Sequence, residues 1–149
     1  MLNFFVGRCV LLGCLVALVA GCGKEAGRVP FAGEGTKATT LQLGAGDVAF
    51  WTDLDLKYEG PAALVYRVEL QQGGASVATA VCDPLANLNL KLGWVETQLG
   101  GSHSVSGSGK MSCSANLAKA GLTTIQTTLE FTTRPATLTL TKADLVVKQ

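Results

Sequence analysis

The chain has 149 residues, of which 48% are hydrophobic and 15% are charged, and its formal net charge at pH 7 is +1. This length suits one domain, and the composition is too apolar for a disordered chain and too evenly charged for a nucleic-acid-binding domain. The single histidine, His103, excludes a metal site built from several imidazoles.

The N-terminal segment has the organisation of a bacterial export signal. One positive charge, Arg8, precedes an apolar run from residue 9 to residue 20. About 12 apolar residues are too few to cross roughly 30 Å of hydrocarbon as a helix, but they match the hydrophobic region of a signal peptide. We therefore interpret residues 1–21 as a leader that is removed on export.

The apolar run ends in Val19-Ala20-Gly21-Cys22. This sequence resembles the lipobox of bacterial lipoproteins, in which an aliphatic residue and two small residues precede a lipid-modified cysteine. The resemblance implies cleavage before Cys22, a thioether-linked diacylglycerol on its thiol, and a fatty acid such as palmitate on its new amine. Residues 11–14 (LLGC) are a second, weaker match that would place the lipid on Cys14. A plain secretory signal or an uncleaved anchor are further alternatives.

The residue after the lipobox cysteine bears on localisation. In enterobacterial lipoproteins, an aspartate at this place is associated with retention in the inner membrane. Gly23 stands here instead, so we expect a protein anchored to membrane lipid in the bacterial cell envelope, at the outer membrane. Without Arg8 the 12 basic residues become 11, which equals the number of acidic residues. A neutral mature chain gives no electrostatic attraction to nucleic acid.

Residues 22–40 are predicted to form the acylated cysteine and a flexible tether. Gly, Ala, Thr and charged residues follow one another there without sustained periodicity. About 16 such residues would hold the domain on the order of 20–25 Å from the lipid. Val29-Pro30-Phe31 interrupts this stretch, and we interpret it as a first strand or a packed contact rather than a partner-binding motif.

From Leu41 onward, apolar residues recur at every second position, which is the period of a half-buried strand. The pattern is clearest at Leu64, Tyr66, Val68 and Leu70, and a Gly-Gly turn then leads into residues 76–82, which predicts a hairpin. The same alternation occurs in four more segments: 50–58, 88–94, 124–131 and 137–147. Residues 41–149 therefore predict one all-β domain, an antiparallel β-sandwich of about 7–9 short strands, immunoglobulin-like or jelly-roll-like.

Two segments do not follow this pattern. Residues 83–92 carry Pro84 and apolar residues at helical spacing, but a loop followed by a strand is the better interpretation. Residues 100–110 (GGSHSVSGSGK) are rich in glycine and serine and are predicted to form a mobile loop or a weak edge hairpin.

Cys82 and Cys113 remain in the mature chain besides the lipid-bearing cysteine. An even pair in an exported domain is expected to form a disulfide. A metal pair or a reactive thiol is the alternative, but there is no CxxC spacing and one histidine cannot complete a site. No metal or other cofactor is therefore predicted.

Side chains suited to catalysis are sparse. His103 stands between two serines, but the Gly-x-Ser-x-Gly elbow of a serine hydrolase is absent, and a solvated loop histidine is the simpler interpretation. Asp53 and Asp55 share a strand face about 6–7 Å apart. That spacing suits a glycosidase pair or a calcium site, and equally an ordinary wet face. We predict that the protein is not an enzyme.

Trp51 is the most informative aromatic residue. If Phe50 and Leu54 point inward, Trp51 points outward beside Asp53, where a tryptophan next to carboxylates could stack on a sugar ring. Trp51, Asp53 and Asp55 are therefore possible ligand contacts. An ordinary structural role, with the outer face covered or Trp51 in the core, is nevertheless the preferred interpretation. Trp94 lies on the apolar side of its segment and is predicted to be core.

These features predict a non-catalytic, lipid-anchored envelope protein. Its β-sandwich is expected to bind partner proteins as an accessory subunit of a secretion, motility or surface assembly. The alternative is a lipid-anchored sandwich that binds a carbohydrate or another ligand.

Lipid attachment gives the first testable prediction. Labelled palmitate should enter the wild-type protein and be absent from the Cys22→Ser variant, because the acylated amine exists only after cleavage at that cysteine. Cys14→Ser serves as the matched control and should retain the label. Label that persists in Cys22→Ser and disappears in Cys14→Ser would move the anchor to the second lipobox.

Overall fold

The computed structural model describes residues 23–149, so the leader and Cys22 lie outside the described residues. The described part forms nine strands: β1 (Glu25–Val29), β2 (Gly35–Leu43), β3 (Gly46–Glu59), β4 (Ala63–Gln72), β5 (Ala75–Cys82), β6 (Leu88–Leu99), β7 (Ser102–Leu117), β8 (Gly121–Thr133) and β9 (Thr137–Lys148). Over this range there is no helix with the length and apolar character needed to cross a membrane.

The strands form two antiparallel sheets that pack face to face. The five-stranded sheet has the order β1-β9-β3-β7-β6, and the four-stranded sheet has the order β2-β8-β4-β5. This is a nine-stranded β-sandwich, as the alternation of apolar residues predicts. The edge strands β1 and β2 lie on one side of the sandwich. The edge strands β5 and β6 are consecutive in the chain, and β5 contacts β7, the neighbour of β6.

The core is built from the inward-facing residues of both sheets. The four alternating residues of β4 are all buried, as predicted: Leu64, Tyr66, Val68 and Leu70. The buried hydroxyl of Tyr66 forms a 2.8 Å hydrogen bond with the hydroxyl of Thr52 in the opposite sheet. Each of these polar groups is thus satisfied inside the core, and burial raises the pKa of Tyr66.

The hairpin predicted between residues 64 and 82 is present as β4 and β5. Its turn residues Gly73 and Gly74 both have positive φ, 60° and 81°. Two successive left-handed residues match the right-handed twist of the flanking strands, and only glycine adopts them freely. The preferred interpretation of residues 83–92 is also confirmed, because a loop precedes β6, which begins at Leu88.

Cys82 and Cys113 lie at disulfide distance, as the sequence predicts. Their sulfur atoms are 1.96 Å apart and their Cα atoms 5.3 Å apart. Cys82 ends β5 in the four-stranded sheet, and Cys113 lies on β7 in the five-stranded sheet. The bridge therefore joins the two layers near the edge strands β5 and β6.

The prediction of a flexible tether over residues 22–40 is wrong for its described part. β1 pairs with β9 and β2 pairs with β8, so the sandwich begins at Glu25 rather than at Leu41. Val29 and Phe31 are buried in the core, in agreement with the interpretation of that apolar island as a packed segment. These edge strands looked like a tether because their exposed faces carry charged residues and threonine.

Of the two interpretations of residues 100–110, the mobile loop is wrong, whereas a hairpin at the sheet edge is present, because β7 pairs with the edge strand β6 across Gly100 and Gly101. Nearly all of this segment belongs to β7, which lies between β3 and β6. A Cβ atom on Gly107 would lie 2.6 Å from the carbonyl oxygen of Gly93, and one on Gly109 would lie 2.8 Å from the Leu88 side chain. These glycines therefore serve close packing rather than mobility, and glycine is required at position 107, where the nearest atoms belong to backbone.

β6 departs from simple alternation because its pairing with β7 shifts between Leu88 and Leu90 and again between Leu92 and Val95. The shifts direct Leu88 and Trp94 toward the core and leave Leu90 and Leu92 partly exposed. Trp94 is half-buried and packs against the core, so its predicted core position is borne out in part, whereas the apolar face predicted for residues 88–94 is divided by the bulges.

Loss of the disulfide should lower the free energy of unfolding. The bridge closes a loop of 31 residues, and constraint of the unfolded chain by such a loop is worth about 3–4 kcal/mol. The Cys82→Ala/Cys113→Ala variant should therefore unfold at a markedly lower urea concentration, with Ser112→Ala on the same strand as the control. A loss below about 1 kcal/mol would contradict a stabilising role for the bridge.

Candidate functional site

The three residues proposed as ligand contacts lie along β3, near the centre of the five-stranded sheet. Trp51 is only 2% exposed. The ammonium nitrogen of Lys148 lies 3.8 Å from the centre of its ring, and Val146 pairs with it on the neighbouring strand β9. The preferred interpretation of Trp51 is therefore confirmed: the outer face is covered, and no open aromatic surface is left on which a sugar could stack.

Asp53 belongs to an ion cluster on the same outer face. Arg28 Nη1 donates to Oδ2 of Asp53 at 3.0 Å and to Oδ2 of Asp144 at 3.1 Å. The remaining guanidinium nitrogens bind the Glu25 carboxylate at 2.8 and 2.9 Å. Lys142 Nζ lies 3.5 Å from Asp53 and 3.6 Å from Asp144. One cation of β1 thus connects the edge strand to β3 and β9.

The protonation of Asp53 follows from these contacts. Burial alone would raise its pKa, but hydrogen bonds from Ser108 and Arg28 and the nearby charge of Lys142 hold the pKa below its ordinary value. Both carboxylate oxygens are already engaged, Oδ1 by Ser108 and Oδ2 by Arg28. Asp53 is therefore a fixed anion with a structural partner on each side, and a shallow depression of about 190 Å³ lies beside it.

The other residues considered for chemistry are not brought together. Asp55 pairs across the sheet with Ser106 on one side and with Lys142, the outer lysine of the ion cluster, on the other. His103 lies on a strand rather than in a loop, and its ring stacks on Tyr58 with the centres 4.9 Å apart. Across residues 23–149, no group of three or more His, Cys, Asp or Glu side chains could hold a metal ion.

The structure adds a feature that the sequence did not reveal. Exposed large hydrophobic residues concentrate on β5 and β6, which hold six of the seven found in residues 23–149: Val77, Val81, Leu90, Leu92, Val95 and Leu99. The opposite edge strands, β1 and β2, hold none of the seven. The four on β6 point outward from the five-stranded sheet, where Leu92 lines the depression beside Asp53, and the two on β5 point outward from the four-stranded sheet. We call the edge of the sandwich that is formed by β5 and β6 the β5–β6 side.

The β5–β6 side has few of the charges that normally protect sheet edges. β5 has no charged residue, and Lys91 and Glu96 are the only two on β6. Leu92 pairs with Ser108 on β7. Because serine is small, the Leu92 side chain extends further from the sheet than the side chain of this partner. Alternation alone placed Leu90 and Leu92 in the core. The residue that could have signalled otherwise is Gly93, whose φ of +58° accompanies the bulge.

The ion cluster should contribute measurably to stability. Arg28→Met keeps much of the side-chain length but removes the hydrogen-bonded cation of Asp53 and of Asp144, which is 8% exposed, and leaves both with only the more distant Lys142. We expect a loss of about 1–3 kcal/mol in the free energy of unfolding at pH 7, measured by urea denaturation. Arg67→Met is the matched control, because Arg67 pairs with Glu130 at an exposed site and its removal should cost less than about 1 kcal/mol.

The difference in the free energy of unfolding between wild type and Arg28→Met should depend on pH. A carboxylate whose pKa is lowered on folding stabilises the protein above its unfolded pKa of about 4, and this contribution is lost as pH falls through the folded value. The pKa values of Asp53 and Glu25 are both lowered. The difference between wild type and Arg28→Met should therefore shrink as pH falls from about 5 toward 2. A difference that stays constant over this range would assign the effect of Arg28 to packing.

Neither the protein-family models nor the curated proteins contain a match to this chain. A functional assignment therefore depends on the residues and geometry described above.

Proposed function

We propose that this protein is a non-catalytic lipoprotein of the bacterial cell envelope that binds a protein partner through the β5–β6 side. The observation that carries the proposal is the concentration of exposed apolar side chains on these two strands. Exposed apolar surface of this kind is characteristic of protein interaction sites.

The apolar side chains can supply useful binding energy. Leu99 is 85% exposed and Leu92 is 48% exposed, so both lose much contact with water when a partner covers them. Full burial of one such side chain is worth about 1.5–3 kcal/mol. The four on β6 share one outer face of the five-stranded sheet, and together they can support association in the micromolar range, which corresponds to about 8 kcal/mol, after the entropic cost of association is subtracted.

The backbone of this side offers a second means of attachment. An edge strand presents unpaired N–H and C=O groups, and proteins usually protect such edges with lysine, proline or bulges. β6 carries two bulges and β5 one, at Val77, but β5 has neither a charge nor a proline over its eight residues, and its pairing is regular from Ala78 to Cys82. An extended segment of a partner protein can therefore add to this edge as a further strand.

Lipid anchoring supports the same function. The lipobox ending at Cys22 would confine the domain to a membrane surface. Confinement raises the effective concentration of neighbouring envelope proteins, so a modest interface is sufficient. The carbohydrate-binding alternative loses its main support, because the aromatic ring that it required is covered by Lys148.

Site-specific crosslinking in intact cells of the native host tests the proposal. A photo-reactive residue at Leu92 or Val95 should give discrete adducts with one or two envelope proteins, because both side chains are exposed on the β5–β6 side. The same residue at Ala38, which is exposed on the opposite edge strand β2, is the matched control and should give none.

A charged substitution provides the reciprocal measurement. Leu92→Lys should abolish the adduct formed from position 95 without lowering the melting temperature, since the Leu92 side chain lies outside the core. Ala38→Lys should leave that adduct intact. Adducts that form from position 38 but not from positions 92 and 95 would overturn the assignment of the surface.

A further inference from the structure

The chain enters the folded sandwich almost immediately after the cysteine proposed to carry the lipid. The main-chain N–H of Gln149 donates to the carbonyl of Lys24 at 3.1 Å, and β1 begins at the next residue, Glu25. Gly23 packs against the backbone of Gln149. Only Gly23 therefore separates Cys22 from a residue that is hydrogen-bonded to the sheet.

This short connection limits how far the domain can lie from the membrane. Two residues span at most about 7 Å of extended chain. β3 has 14 residues and crosses the sandwich from end to end, which corresponds to about 45 Å. The end of the sandwich that carries Lys24 must therefore lie close to the lipid, with the opposite end well beyond the headgroup layer.

Three chain connections share this end of the sandwich: residues 44–45, 73–74 and 118–120. The Gln149 side chain holds the first, accepting from the Gly44 N–H at 2.6 Å and donating to its carbonyl at 2.8 Å. Gln72 donates to the carbonyl of Lys119 at 3.0 Å. We call Gly23, Lys24 and these three connections the anchor end.

The chemistry of the anchor end suits a lipid surface. Apart from Lys119, the three connections contain only glycine and alanine, so this end carries few bulky side chains. Lys24 and Lys119 are exposed at this end, and Asp47, Lys110 and Lys148 line an open groove of about 510 Å³ beside Gly23. Leu122, the seventh exposed large hydrophobic residue, follows the last connection and is 67% exposed. Lys119 and Leu122 are three residues apart at this end, so they can contact lipid phosphates and the upper acyl region together.

We propose that the anchor end rests on the headgroup layer of an anionic bilayer, so that the strands point away from the membrane and the β5–β6 side faces neighbouring proteins laterally. This inference depends on the acylation of Cys22 in the proposed function, but not on docking through the β5–β6 side.

Depth-dependent fluorescence quenching tests this orientation. The acylated full-length product is reconstituted into phosphatidylethanolamine–phosphatidylglycerol vesicles that carry a nitroxide quencher on the lipid headgroup. Single probes are attached to Ala45→Cys or Ala120→Cys at the anchor end, and to Ala136→Cys or Ser102→Cys at the opposite end. All four positions are exposed, so labelling should not disturb the core. Quenching should be several-fold stronger at the two anchor-end positions.

The possible outcomes distinguish a failure of the proposed orientation from a failure of acylation at Cys22. Equal quenching at all four positions in vesicle-bound protein would overturn the orientation while leaving acylation and docking intact. Protein that is not acylated and does not float with the vesicles would contradict both the anchoring and the orientation.

A variant with a longer linker tests whether the short connection between Cys22 and β1 causes the orientation of the sandwich on the membrane. A 15-residue Gly/Ser insertion between Gly23 and Lys24 would add an average reach of about 20 Å. Vesicle binding should persist, and the difference in quenching between the two ends should decrease. An unchanged difference would contradict control of the orientation by the short connection.

Discussion

The attachment of β1 to β9 is the constraint on which the functional geometry depends. Arg28 on β1 binds carboxylates on β3 and β9, and Val29 extends the core under the same edge. The ion pairs alone would be weak at a fully exposed site, but Asp144 is largely buried, so loss of its cation is costly. Because β1 is held in the sheet, the domain begins within three residues of the cysteine proposed to carry lipid.

The β1–β2 side and the β5–β6 side of the sandwich differ in the residues that they expose to water. On the β1–β2 side, charged residues and threonine meet water, and Gly27 allows close approach of the Leu41 side chain. On the opposite side, the disulfide joins β5 to β7, and apolar side chains remain exposed on β5 and β6. The disulfide makes the backbone next to these apolar side chains rigid, so little conformational entropy is lost when a partner binds there.

Much of the fold was predictable because alternation reports burial directly. The β4–β5 hairpin, the strands built on residues 50–58 and 124–131, and the pairing of Cys82 with Cys113 all follow from local patterns. The edge strands were not predictable. A strand such as β1 has one polar face and one narrow apolar face, so its local sequence does not differ from that of a flexible tether. The glycines of β7 were misinterpreted for a related reason: their role is to admit Gly93 and Leu88 at close range, which only the partner strand reveals.

The candidate site shows the same limit. The exposure of a tryptophan such as Trp51 depends on Lys148, almost a hundred residues further along the chain. The β5–β6 side emerges only after two bulges redirect Leu90 and Leu92, and bulges depend on pairing rather than on sequence alternation.

Hydrogen–deuterium exchange in native membranes tests the docking of the β5–β6 side most directly. Exchange in isolated envelope membranes of the native host is compared with exchange of the purified acylated protein in detergent. A sandwich docked through this side should exchange more slowly in the native membranes within residues 75–99, with residues 35–43 unchanged as the internal reference. Equal exchange of residues 75–99 in the two preparations, or slower exchange confined to residues 35–43, would contradict docking through the β5–β6 side.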